Sequence, residues 1–326
     1  MLWQKRPDRK VLSVMSNPAC HEKTGLVIEG GGTKIAYTAG VLKCLLEHKI
    51  YLPYAVGISS GAEVALSYVS RQIKRLEVTA IDSAAQKGAV GLGALIHEGS
   101  IFGIEATNEY IEKHAPLDFM TFLGSETALD IGVYNMATHS VEYYGKEFVD
   151  ESMTLVKASC ALLLLAKPYA FNGSRYIDAG LVDMISIDQS IRSGCTRHLV
   201  LSTKEEGYVR KPAPAWQSWL ARMVYKDRTV SQQLLERHIR YNEQWDKISK
   251  LEKEGKAMVL RPHKDLGVTR YTTDPAKLGP WFELGYTETQ ERIDEIRKFC
   301  MVDECEKEWN KEAEEELKEP VLPLAE

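Results

Sequence analysis

Tyr54–Ala55–Val56–Gly57–Ile58–Ser59–Ser60–Gly61–Ala62–Glu63 passes from a short apolar run into a helix-permissive one, and its middle spells G-x-S-x-G around Ser59. A serine on a sharp strand-to-helix turn has strained backbone angles, so the residues two before and two after it must be small. Such a turn lifts the hydroxyl to the mouth of a sheet. The helix N-terminus behind it favours developing negative charge. The same five residues also suit a plain Gly/Ser connection, so the rest of the chain decides between the two readings.

Working outward, Gly25–Leu26–Val27–Ile28–Glu29 reads as a strand ended by Gly30–Gly31–Gly32. Tyr37, Val41, Leu42, Leu45 and Leu46 recur at three- and four-residue steps, which predicts a helix. Pro53 then precedes the strand into Ser59. Strand, helix, strand makes a right-handed βαβ unit with parallel strands, so both strand ends open on one sheet edge. Further along, the helix from Ser59 extends through Leu66 and Val69. Residues 84–104, rich in Gly and Ala, read either as an apolar flap or as core packing. A helix is expected around Ala106–His114, hairpin strands at Leu129–Tyr134 and Ser140–Tyr144, and a helix over Asp150–Leu165 entered by a capping Asp150. A strand end at Tyr176–Ile177, a helix at Ile187–Ser193 and a strand at His198–Ser202 follow. Alternating strands and helices predict an α/β layer architecture. Beyond Lys204 the chain turns charged and helical, with Val230, Leu234, Tyr241, Trp245, Ile248 and Leu251 on one buried face. Ala257–Leu260 adds a strand, and two helices are expected between Pro275 and Cys300. The expected organisation is an irregular leader over 1–23, a catalytic α/β domain over 24–204, a mainly helical region over 205–302, and an acidic tail over 303–326.

The 326 residues carry 41 Lys and Arg against 46 Asp and Glu, a formal charge of −5. That balance argues against a nucleic-acid partner, which calls for a basic excess or stripe. The six cysteines, Cys20, Cys44, Cys160, Cys195, Cys300 and Cys305, form no C-x-x-C pair. Neither a disulfide framework nor a zinc site is implied, and reduced cysteines in a cytosolic protein are expected. The apolar run Cys160–Ala166 is far shorter than the ~20 residues a membrane span needs. The start has no secretory pattern. A cytoplasmic protein is expected, with peripheral membrane contact, and the sequence leaves its oligomeric state open.

A serine hydroxyl needs a base to take its proton and donors to hold the oxyanion. Three glycines after a strand leave backbone N–H groups unencumbered and able to point into the cleft. Neither nucleotide-binding pattern fits: G-x-x-x-x-G-K-[ST] is absent, and G-x-G-x-x-G fails at Ile35.

Together these residues resemble the patatin-like phospholipases, specifically their bacterial branch. The family's G-G-G-x-[RK]-G loop appears as Gly30–Gly31–Gly32–Thr33–Lys34–Ile35, its elbow as Gly57–Ile58–Ser59–Ser60–Gly61, and its Asp-Gly-[Ala/Gly] motif as Asp178–Ala179–Gly180. Likeness continues through Tyr37–Leu42, Lys157–Ala161, Tyr176–Asp178, Arg261–Pro262, Asp274–Leu278 and Leu284–Tyr286, covering most of 25–290. The resemblance implies a three-layer fold with a mostly parallel sheet between helices. It implies Ser59 as nucleophile and Asp178 as base, an oxyanion hole from Gly30, Gly31 and Gly32, and Lys34 shaping that loop. It also implies hydrolysis of lipid carboxyl esters without a cofactor or metal. The chain departs from the pattern at Ile35, Ala179 and Leu163, and alanine at 179 is strained if its φ is positive. An acyltransferase, a thioesterase or a silent lipid-binding protein are the alternatives on the same residues. A histidine-assisted triad has His198, His238 or His263 in the right order after Asp178, but none in a suggestive context. Asp183 is expected to cap the segment after it. His21, His97 and His139 lack metal-site spacing.

Overall fold

The computed structural model describes residues 22–301. The expected acidic tail and all but the end of the expected leader lie outside them. The first unit is β1 (Thr24–Ile28), α1 (Ile35–Glu47), β2 (Tyr54–Ile58) and α2 (Ser60–Val69), as the spacing predicts. The chain continues through α3 (Ile73–Glu77), α4 (Leu92–Glu98), α5 (Ile104–His114) and α6 (Phe119–Gly124) into the hairpin β3 (Ala128–Asn135) and β4 (Ser140–Gly145). Next come α7 (Thr154–Cys160), β5 (Tyr169–Phe171), β6 (Ser174–Asp178), α8 (Ile187–Arg192) and β7 (Arg197–Leu201). The C-terminal region holds α9 (Ala215–Tyr225), α10 (Arg228–Lys253), β8 (Ala257–Leu260), α11 (Pro275–Glu291) and α12 (Ile293–Phe299).

The strands form one sheet in the order β5-β6-β3-β2-β1-β7-β8, with β4 hairpinned onto β3. The pairs from β3 through β2, β1 and β7 to β8 are parallel, and those at the β5–β6 end are antiparallel. The fold is α/β, with a mixed, mostly parallel sheet flanked by helices. Because side chains alternate across a strand, β1 feeds two cores. Leu26 and Ile28 pack with residues of α1, α2 and α11, whereas Val27 packs with Ile187 of α8 and Tyr241 and Ile248 of α10. The C-terminal region thus supplies an edge strand and a helix to each side of the sheet. Its closest approach is at α1: a Cβ on Gly40 would lie 1.9 Å from the Phe282 carbonyl oxygen, and one on Gly285 would lie 2.0 Å from that of Tyr37. Glycines on both helices let the backbones touch.

Two expectations fail here. The helix placed over 150–165 is only α7, begun after Met153 and ended at Cys160; Asp150 instead accepts the Ser152 N–H. After Ala161 the chain turns irregular, with Leu164 at φ +67°, so the apolar run that looked helical is a half-buried loop. Apolarity alone does not separate a buried helix from a buried loop. Asp183 caps nothing. It is half-buried and accepts hydrogen bonds from Tyr143 Oη and Gln244 Nε2.

Candidate active site

β1 and β2 run parallel with Ile28 beside Gly57, so the triple glycine and Ser59 leave the sheet at the same edge. Asp178 reaches that edge from the opposite direction. β6 is antiparallel to β3, and the register sets Asp178 beside Val133, one residue past the Gly132–Ile58 pair. Three remote stretches of sequence therefore meet.

Ser59 has φ 57° and ψ −138°, a region that side chains rarely occupy. Its N–H donates to Ser159 Oγ at 2.9 Å, and Ser159 Oγ–H donates to the Gly132 carbonyl at 2.8 Å, bracing the turn from α7 and β3. Ser159 belongs to a quoted motif, yet nothing in the sequence marks this role. The flanking glycines are there for space: a Cβ on Gly57 would lie 2.7 Å from the Gly61 carbonyl oxygen, and one on Gly61 the same distance from that of Ile28.

In the glycine loop, Gly32 sits at φ +57° against the Arg270 carbonyl, which accepts the Thr33 N–H at 3.3 Å. The expectation that all three amides point into the cleft needs correction, because Gly31 N–H donates to Ser60 Oγ at 3.1 Å. This bond ties loop to elbow. Lys34 directs its ammonium to Glu205 at 3.9 Å and over the Trp281 ring, and it lines neither cavity described below. Ile35 enters α1 at φ −59°, so the position needs no glycine. Ala179 likewise is not among the positive-φ residues. Gly180 matters more: a Cβ there would lie 2.9 Å from Asp178 Oδ1, the atom that accepts Gly180 N–H at 2.7 Å.

Asp178 is 3 % exposed. Burial pushes its pKa up, while the Ser59 side chain, Gly180 N–H, Arg237 and Arg270 pull it back in that order. Its Oδ2 has no geometrically complete hydrogen bond. Ser59 and Asp178 border the same cavity with no formed hydrogen bond between them, a looseness common in unliganded sites.

Two cavities meet at Ser59, sharing Gly32 and Leu162 as well. The larger, about 630 Å³ including its open mouth, is lined mainly by small and apolar residues such as Ala80, Ala84, Ala89, Val90, Phe102 and Ile104. The segment 84–104 is therefore neither simple flap nor simple core: its base, closed by a bridge between Val90 and Phe102, lines the cavity, while Leu92 and Ile96 on α4 are each 77 % exposed. Glu63 also borders this cavity. Burial pushes its carboxyl up to about 7, against the opposing pull of Arg75 and of a hydrogen bond from Cys160. The second cavity, about 440 Å³, adds Asp178, Gly30, Gly31 and four cationic side chains. His198, His238 and His263 line neither cavity. His198 is buried in β7 against Ser190 Oγ, and burial lowers its pKa to about 4. Among the described residues no group of His, Cys, Asp and Glu could hold a metal ion, and no helix is long and apolar enough to cross a membrane.

A family model described as patatin-like phospholipase matches residues 26–191, just over half of the chain. The chain belongs to the patatin-like phospholipase family. Within this patatin-like region lie the glycine loop, Ser59 and Asp178, and membership implies a lipid acyl hydrolase. A second model, described as a domain of unknown function (DUF6363), matches residues 228–301. Among solved structures, that of VipD from Legionella pneumophila is similar at 17 % identity and a TM-score of 0.46, covering 84 % of this chain and 67 % of that one. No curated protein sequence matches significantly.

Proposed function

We propose that this patatin-like protein is a serine acyl hydrolase that cleaves lipid carboxyl esters with a Ser59–Asp178 dyad. One observation carries the reading. Ser59, on a strained elbow, and the buried Asp178, whose Oδ2 has no hydrogen-bond partner, border one cavity walled by the glycine-loop backbone.

Ser59 Oγ attacks the ester carbonyl while Asp178 takes its proton. The oxyanion forms beside the Gly30–Gly32 loop and the N-terminus of α2, where fixed backbone dipoles favour it. Collapse expels the alcohol, which leaves with the proton from Asp178. Water then attacks the acyl-enzyme, gives its proton to Asp178, and releases the acid as the proton returns to Ser59. A raised carboxyl pKa suits this shuttling near neutrality. The acyl chain lies in the apolar cavity, and exposed Leu92, Leu95 and Ile96, next in sequence to cavity residues Ala89 and Val90, offer an apolar face for peripheral contact with a lipid surface.

Turnover of a p-nitrophenyl ester series tests this reading. Wild type is expected to hydrolyse it, and Ser59→Ala to lose roughly a thousandfold or more. Equal rates, or no turnover by wild type across the series, would sink it.

A further inference from the structure

The second cavity holds more positive charge than the chemistry of an ester needs. Lys204, Arg210, Arg237 and Arg270 line it, against two carboxylates, Glu29 and Asp178. None of the four cations forms an ion pair among the described residues, and the side-chain contacts of Lys204, Arg210 and Arg237 are with neutral groups. Lys204 Nζ donates to Thr203 Oγ1 at 3.0 Å, and Arg237 Nε donates to the Gly180 carbonyl at 2.5 Å. Arg210 stacks over the Tyr241 ring at 4.3 Å and leaves a buried Nε–H without a partner. Glu29 is consumed by neutral donors as well, accepting from Ser202 Oγ, the Thr203 N–H and Tyr241 Oη.

We infer that Lys204, Arg210, Arg237 and Arg270 form a site for the phosphate of an anionic lipid headgroup, in the second of the two cavities that share Ser59. The inference rests on the hydrolase reading and adds to it the charge of the headgroup and the residues that read it. Unpaired guanidinium groups converging on one cavity match the oxygens of a phosphate, which they can engage in pairs. Both cavities open on Ser59, so an ester carbonyl there can send its acyl chain one way and its alcohol side the other. In a phospholipid the phosphate is a few bonds along that alcohol side. Surplus positive charge favours a headgroup whose phosphate is uncompensated by an attached ammonium. The cost of the arrangement in the empty protein is visible: burial first, then Lys34, Arg270 and Arg210, lower the Lys204 pKa to about 8 against the pull of Glu29. Burial, Arg210 and Arg270 likewise lower Arg237 to about 9, still cationic at neutrality. Arg237 and Arg270 both belong to the 228–301 stretch matched by the domain of unknown function, so this site gives that region a task.

Calorimetric titration of the full chain with octyl phosphate, below its micelle concentration, tests the site without requiring hydrolysis. Wild type is expected to bind one equivalent saturably. Arg270→Gln and Arg210→Gln should each weaken binding at least tenfold, Arg270→Lys less, with thermal unfolding confirming that each variant is folded. Octyl phosphocholine should bind at least tenfold more weakly than octyl phosphate. Absence of saturable binding, or equal binding by folded Gln variants, would overturn the site. Equal affinity for octyl phosphocholine would overturn the anionic preference, and equal affinity for inorganic phosphate would overturn the lipid assignment in favour of the free ion. Failure of the hydrolase reading shows separately, as an absence of Ser59-dependent ester turnover.

Discussion

The two cavities that share Ser59 are built by opposite means. The apolar one comes from segments close in sequence to the elbow, mostly 79–107, and its small side chains make room. The cationic one draws on residues from 29 to 270, and its long side chains fill it with charge. Shape, on the first side, discriminates weakly, because a methylene more or less is worth about 1–3 kcal/mol. On the second side, buried and half-buried charges without an ion-pair partner discriminate strongly, because the wrong ligand leaves them uncompensated. On the proposed reading, a lipid ester at Ser59 would be graded loosely by its tail and sharply by its head.

The largest break in this division comes at the point where the cavities meet. Asp178→Asn keeps the shape and an acceptor for Gly180 N–H but removes the base. Ester turnover is expected to fall by about a thousandfold. Thermal stability should rise by a few degrees at pH 8, because a carboxyl with a raised folded pKa is costly to ionise in place. Unchanged turnover would remove Asp178 from the chemistry.

A smaller effect tests the apolar side alone. Ala84→Phe fills part of that cavity and should lower kcat/KM for a dodecanoyl ester about tenfold while leaving a butyryl ester within about twofold. Equal losses on both esters would show that the tail does not lie there.

The mildest test reads Glu63 through pH. Its folded pKa of about 7 lies above the ordinary carboxylate value, so the folded protein holds the proton longer than the unfolded chain. Stability from this group is therefore full below the unfolded value, is lost progressively as pH rises towards 7, and stays lost above it. Glu63→Gln should leave stability nearly unchanged at pH 4 and raise it by on the order of 2 kcal/mol at pH 8, since the carboxyl borders a cavity that softens the cost. Urea unfolding at the two pH values measures the difference; an equal effect at both would contradict a raised pKa.

The elbow and the glycine loop were legible because each is local, a strand end followed by residues with a steric reason to be small, whereas Asp178 came only with the family resemblance. The helix faces of α1 and α10 were legible from apolar periodicity. The true end of α7 was not, because Leu162 to Leu165 carry no turn residue and the break comes from tertiary packing. Ser159 was invisible, since a serine that braces a remote amide reads like any other. The four cations were invisible for a related reason. Arg210, Arg237 and Arg270 stand among many surface charges, and only the fold brings them to one wall.

The reciprocal glycine contact between α1 and α11 carries one more consequence. Gly40 and Gly285 set those two backbones against each other, and α1 grows directly out of the glycine loop. The stretch matched by the patatin-like family model ends at residue 191, long before the helix on which its own first helix rests. Heredity and packing therefore part company in this chain: the segment that marks the lineage carries the glycine loop, but the helix growing out of that loop rests on α11.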